Sequence, residues 1–139
     1  ISLFDSSDVT VESNTLANSD WGIYSDNTIS LDISNNTIMN MSEDGIELQS
    51  SSLSSISGNF INNCGEPAIT LYNSSYATVE NNTLIDIKWG ILTRNATSLA
   101  VRNNIISNIT GGGMYLSRSS SSSVSGNLIK NCADKAIAL

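Results

Sequence analysis

"GIYSDNTISLDISNNTIMN" (22–40) and "GIELQSSSLSSISGNFINNC" (45–64) begin on glycines 23 residues apart and run in one phase. The opening small residue recurs as Gly22, Gly45, Ala68, Gly90, Gly113 and Ala136, at intervals of 23, 23, 22, 23 and 23. An asparagine keeps the same beat at Asn14, Asn36, Asn59, Asn82, Asn104 and Asn127, and four residues after each comes Asn18, Asn40, Asn63, Asp86, Asn108 or Asn131. A unit this short cannot bury its apolar face alone, so a fixed period means copies stacked as a solenoid.

Within a copy the apolar residues come in three bursts: Ile46 and Leu48, then Leu53 and Ile56, then Phe60 and Ile61. Alternation over three to five residues reads as strand, and Asn-Asn or Gly-Asn as a turn whose residues tolerate left-handed backbone angles. The bursts are too short for a helical stripe, and the chain holds a single proline. The expected fold is all-β: one domain over 1–139, a parallel β-helix of about six coils of 22–23 residues with three short strands per coil. Equivalent residues then stack about 4.8 Å apart. Leu16, Ile38, Ile61, Leu84, Ile106 and Ile129 form an interior aliphatic stack. The asparagines that share the beat form an amide ladder, each bonding to the coils above and below.

"GIYSDNTISLDISNNTIMN" and "GILTRNATSLAVRNNIISN" (90–108) resemble the NosD-like repeats of the right-handed parallel β-helix, or pectate-lyase-like, superfamily. The resemblance covers almost the whole chain. It implies right-handed coiling, and it leaves function open, because that fold serves lyases, hydrolases, tail spikes and surface proteins alike.

A shift of 68 residues aligns the chain with itself at 35 of 71 positions, "TVESNTLANSDWGI" (10–23) falling on "TVENNTLIDIKWGI" (78–91). Two three-coil units, 1–68 and 69–136, plus a terminal strand follow from that duplication. No capping helix or polar terminal repeat is visible at either end. This suggests a piece of a longer array, or a protomer that stacks on itself head to tail. Charge divides at the same boundary: residues 1–68 hold ten acidic groups and no Lys or Arg, whereas 69–139 hold three acidic and six basic ones. Opposite ends of that kind would steer head-to-tail contact.

The net charge of −7 argues against nucleic acid, and no apolar run reaches the roughly 18 residues a membrane span needs. Histidine is absent, which removes the usual general base near neutral pH. Cys64 and Cys132 lie three coils apart, about 14 Å along the axis, too far for a disulfide, and are read as small buried apolar residues. The serine runs at 50–52 and 119–123 keep the coil phase and are read as outward strand and loop positions.

Asp20, Glu43 and Glu66 stack in successive coils with Asp44 beside them, a candidate calcium site by its oxygen ligands; solvated turn charges would give the same pattern. No other cofactor is implied. Trp21 and Trp89 share one phase and are candidates for stacking on sugar rings, or for packing over a turn. Asn35, Asn73, Asn81 and Asn95 head Asn-X-Ser/Thr triplets at turns and loops, where a glycan would fit. The superfamily's lyases use clustered Asp for calcium with an Arg base, and its hydrolases use Asp pairs with a His-containing motif; neither pattern occurs here. The function expected from the sequence is therefore non-enzymatic: an extracellular structural β-helix of a cell-surface, sheath or fibre protein. The alternative is a carbohydrate-binding or polysaccharide-processing β-helix module.

Overall fold

The computed structural model describes all 139 residues, Ile1–Leu139, as strands, bends and turns without a helix. The first sheet stacks Ser2–Phe4, Ile23–Asp26, Ile46–Gln49, Ile69–Tyr72, Ile91–Arg94, Met114–Ser117 and Ile137–Ala138 in that order. The second runs from Thr10–Glu12 to Ser123–Ser125 and the third from Thr15–Ala17 to Leu128–Cys132, with six strands each. Every pairing is parallel and joins residues one coil apart, as Ile46 pairs with Ile23 on one side and Ile69 on the other. Order in the sequence is therefore height along the axis.

Alternate residues of these short strands point into the coil, where 26 buried apolar residues form one continuous core. Ile38, Ile61, Leu84 and Ile106 of the expected aliphatic stack are fully buried, while Leu16 and Ile129 at its ends are partly so. Each isoleucine meets an aliphatic side chain one layer away, which fills the interior in favoured rotamers and leaves no edge within the stack. At Gly22 an added Cβ would stand 2.5 Å from the Gly45 carbonyl oxygen and 2.6 Å from Ile38 Cγ2. That crowding explains why nothing larger than alanine opens a coil.

Three strands close into a coil only if the backbone turns sharply between them. Twenty-four residues have positive φ, which is four in each of six coils: 22 are not glycine, and Gly58 and Gly126 complete the set. Left-handed backbone is costly for most L-residues and mild for Asn and Asp, whose short polar side chains bond locally. The abundance of Asn in this chain answers that demand.

The buried asparagine ladder assembles as expected. Asn82 Oδ1 accepts from the backbone N and Nδ2 of Asn59 at 2.9 and 3.0 Å. Asn82 Nδ2 donates to the Ile56 carbonyl at 2.9 Å, the Glu80 carbonyl at 3.0 Å and Asn104 Oδ1 at 3.0 Å. The outer series forms a second ladder, with Asn40 donating to Asn18 at 3.1 Å, Asn63 to Asn40 at 2.9 Å and Asn131 to Asn108 at 3.0 Å. Asp86 interrupts it. A carboxylate cannot donate to Asn63, so Asp86 only accepts, from Asn108 at 3.1 Å and Asn62 at 3.3 Å.

The serine run at 119–123 lies at exposed and half-buried positions as expected, but Ser51 of the run at 50–52 turns inward. Ser51, Ser54 and Ser74 are buried at the corner between the first and second sheets. Ser74 Oγ accepts from Ser51 N at 2.9 Å and donates to the Leu48 and Tyr72 carbonyls at 3.2 and 2.9 Å. These hydroxyls satisfy backbone groups that a corner withdraws from water, which a larger side chain would be too bulky to do. Both cysteines are free, and burial pushes the Cys64 thiol up to about 11, so it is unreactive at neutral pH.

Replacing one rung tests the ladder. Asn82→Ala leaves buried amide and carbonyl groups unpaired in both neighbouring coils, and should cost about 1–3 kcal/mol. Ser123→Ala, at an exposed strand position, should stay within about 0.5 kcal/mol of the parent. Urea unfolding of the two variants makes the comparison, and equal midpoints would remove the ladder as a source of stability.

Candidate functional site

Strand alternation puts the residues between the core positions of the first sheet on its outer face. One outward column reads Ser2, Tyr24, Glu47, Thr70, Leu92 and Tyr115 from coil to coil. The next reads Phe4, Asp26, Gln49, Tyr72, Arg94 and Ser117. Neither column is uniform, unlike the aliphatic and amide stacks. Aromatic, acidic, amide and basic groups share a single face.

Near one end of that face Trp21, Tyr24, Phe4, Glu47, Gln49 and Ser2 enclose a recess of about 430 Å³. Trp21 leans from the corner that precedes its strand and meets Tyr24 edge-on at 6.2 Å, and Tyr24 meets Phe4 at 5.8 Å. Trp21 and Phe4 stay 42% and 57% exposed, so both present ring surface to solvent. Glu47 is held between two donors, Trp21 Nε1 to its Oε2 at 3.1 Å and Gln49 Nε2 to its Oε1 at 2.7 Å. Glu47 as a whole is only 9% exposed, and it lines the recess that the aromatics frame. Tyr24 has its phenol pushed above the ordinary value by burial, then by the charges of Asp26 and Glu47.

Asp44 lies one coil above Trp21, its carbonyl accepting from Gly22 N at 3.2 Å. It is buried, and its pKa is raised from 3.8 to about 7. Loss of hydration is the main cause, and the charges of Glu47, Glu66 and Glu43 add to it. Thr70 offsets a part: its buried Oγ1 has no partner at hydrogen-bond geometry, yet lies close enough to the Asp44 carboxyl to favour the charged form. Glu47 and Asp44 are thus neighbouring carboxyl groups, and Asp44 is the one whose burial lifts it toward neutral pH. A carboxyl raised in this way is suited to hold or give a proton near neutral pH.

The candidate residues from the sequence separate in space. Trp21 belongs to the recess. Trp89 packs edge-on against Tyr115 at 6.5 Å, in space left by Gly112, where an added Cβ would stand 2.5 Å from Trp89 Cζ3. The calcium expectation at Asp20, Glu43, Asp44 and Glu66 does not assemble as a site. Asp20 accepts from Ser42 Oγ at 2.8 Å, Glu66 pairs with Lys88 at 2.7 Å, and Asp44 is buried. No three Asp, Glu, Cys or His side chains gather closely enough to hold a metal ion. The stacked carboxylates diverge because Asp20 and Glu66 find different partners, while Glu43 makes no side-chain hydrogen bond to either. Asn35, Asn73, Asn81 and Asn95 are exposed at left-handed corners.

Glu47, Tyr24, Phe4 and Gln49 were not singled out in the sequence. Their signal was present: each sits at an outward position of a strand whose inward residues, Ile46 and Leu48 among them, mark the core. Their association with Trp21 was not visible, because Trp21 reaches past the next strand to a residue 26 positions on.

The chain belongs to the right-handed β-helix family, whose model matches residues 1–139. No curated protein matches it. Among solved structures it is similar to a point mutant of the periplasmic alginate epimerase AlgG, at 16% identity and a TM-score of 0.69 over 99% of this chain and 46% of that one. AlgG without that mutation gives 16% identity and 0.58 over 98% and 41%. The enzymatically active domain of tailspike protein 2 of bacteriophage CBA120 gives 11% and 0.67 over 88% and 23%. The chain thus spans less than half the length of the solved structures it matches. At these identities the likeness is one of fold. It nevertheless corrects the expectation of a non-enzymatic structural rod, because the solved chains that share this coil are named as enzymes. That expectation rested on the missing histidine and missing Asp pair. Burial raises the Asp44 carboxyl from 3.8 to about 7, an effect of packing that neither a histidine nor an Asp pair would signal.

The linkage at Asp44 gives a stability test. A folded pKa above the unfolded one means that the native state binds the extra proton, so stability is full below about pH 4 and declines as pH rises through about 7. A rise from 3.8 to about 7 sets a ceiling of about 4 kcal/mol on that loss. Asp44→Asn should therefore be more stable than the parent at pH 8 and should flatten the decline between pH 4 and 7 in chemical denaturation. A parallel decline in the variant would assign the pH dependence to other groups.

Proposed function

We propose that this member of the right-handed β-helix family is a polysaccharide-processing module whose substrate lies along the outer face of the first sheet. The observation that carries the reading is the recess in which Trp21, Tyr24 and Phe4 frame a carboxylate held by two donors, with a second, protonatable carboxyl beside it. Sugar rings present apolar C–H faces and polar rims. Exposed aromatic rings stack on the former, and carboxylates and amides bond the latter. The track continues past Tyr72 to Tyr115 with Trp89 against it, so an extended chain has several coils to run along.

In this reading Glu47 faces the sugar and accepts a proton or a hydroxyl hydrogen bond, with Trp21 Nε1 and Gln49 Nε2 fixing its orientation. Asp44 is the neighbouring group that holds or releases the proton near neutral pH. The likeness in fold to an alginate epimerase and to the enzymatic domain of a tailspike supports the class of chemistry. The periplasmic place of the first also supports an extracytoplasmic location.

Incubation with a panel of plant, algal and bacterial polysaccharides, followed by proton NMR and size-exclusion chromatography of the sugars, tests the reading. A changed product is expected with at least one polymer. Glu47→Gln should lower kcat about 100-fold or more, the range of general acid–base contributions, while Trp21→Ala should mainly raise KM. No binding and no product with any polymer would dismiss the reading, as would an unaltered rate in Glu47→Gln.

A further inference from the structure

The second three-coil unit repeats the aromatic shelf and reverses its charge. At a spacing of 68 residues Trp21 corresponds to Trp89, but Asp26 corresponds to Arg94, Glu47 to Tyr115 and Ser50 to Arg118. Arg94 and Arg118, with Asn95, Tyr115 and Ser117, line a separate recess of about 350 Å³ on the same face. Both arginines are exposed, and neither makes a salt bridge or side-chain hydrogen bond. The molecule's two salt bridges are Lys88 with Glu66 at 2.7 Å and Arg102 with Glu80 at 2.6 Å. Four of the six bases thus have no acidic partner, and of these Arg94 and Arg118 share one recess, whereas Lys130 and Lys135 do not line it.

Arg118 also breaks a local rule. It occupies a left-handed corner, φ 51°, whose equivalents are Asp5, Asn27, Ser50, Asn73 and Asn95. Small polar side chains suit that backbone, whereas a long one gains nothing there, and such exceptions concentrate where function supports them.

We propose that Arg94 and Arg118 form an anion subsite that takes a carboxylate or sulfate group of an acidic saccharide lying along this face. The assignment of the ligand as a saccharide rests on the polysaccharide-processing reading. Two guanidinium groups offer planar forks of N–H donors that match the paired oxygens of a carboxylate or sulfate. Tyr115, 36% exposed and edge-on to Trp89, offers a ring for the sugar that bears the anion. Arg94 lies two coils beyond Glu47, about 10 Å along the axis, so one saccharide spans both recesses. The acidic recess repels an anionic substituent and the basic one holds it, so the pair would also orient the bound chain.

The test is a titration followed by the Arg Nε–Hε resonances in ¹⁵N NMR, with trigalacturonate, galactose 6-sulfate and neutral maltotriose as probes. Arg102, already engaged by Glu80, is the internal control. Arg94 and Arg118 signals should shift with one or both anionic probes and stay still with maltotriose. The stronger response separates carboxylate from sulfate. Arg94→Gln with Arg118→Gln should weaken that binding about tenfold or more, while Lys130→Gln with Lys135→Gln, an equal loss of charge elsewhere, should leave it unchanged. Static Arg94 and Arg118 signals with both anions would overturn the subsite, and so would an equal shift of Arg102 or equal weakening by the lysine changes. Saccharide-dependent Trp21 fluorescence, read in a Trp89→Phe variant, with silent arginines would remove the subsite alone. Responsive arginines with Trp21 fluorescence and Glu47→Gln indifferent to every saccharide would keep the anion subsite and remove the polysaccharide reading.

Discussion

Everything in this molecule depends on hydrogen bonds that run along the axis from one coil to the next. The chain turns four left-handed corners per coil, and each corner exposes backbone groups that the next coil must satisfy. The buried amides of Asn36, Asn59, Asn82 and Asn104 do this by donating to the previous coil's carbonyls while accepting its N–H groups. Because each rung needs an identical partner about 4.8 Å away, the period has almost no freedom. A shift by one residue would turn inward side chains outward on all three sheets.

The same geometry makes like stack on like, which favours some residues and penalises others. Aliphatic and amide columns gain from it. Acidic columns do not, and the chain relieves them by alternating sign, as where Glu66 meets Lys88 and Glu80 meets Arg102, both exposed and of small energetic value. Asp44 is relieved differently. Its own column places Trp21 below and Pro67 above, so no acid lies directly over it, but Glu43, Glu47 and Glu66 surround it from neighbouring columns. Deprived of water and facing only like charge, it keeps its proton to about neutral pH.

The two halves that align at a spacing of 68 residues carry two versions of one surface. Both carry a tryptophan before the first-sheet strand, and both tryptophans meet a tyrosine edge-on. One has Glu47 and Asp44 in the coil above Trp21, and the other has Tyr115 and Gly112 in their places and gains Arg94 and Arg118. A regular scaffold lets such exchanges occur on the outer face without disturbing the core, since the inward residues of the same strands are untouched.

How much was legible in the sequence follows from which features repeat. Asn14 through Asn127, the aliphatic stack from Leu16 to Ile129 and the small residues at the head of each coil recur at the period, so the parallel β-helix, its three strands and its amide ladder could be read directly. The free state of Cys64 and Cys132 was readable too, because three coils separate them by more than a disulfide spans. What does not repeat could not be read. Ser51 and Ser74 turn inward because a corner needs a small hydroxyl. Trp21 bends across to Glu47 instead of stacking on Asp44, and Asp20 and Glu66 find separate partners instead of a shared cation. Those outcomes depend on side-chain direction, local dielectric and competition among neighbours in adjacent coils. Periodicity specifies which residues are neighbours; only the packed structure decides which of them bond and which one is left holding a proton.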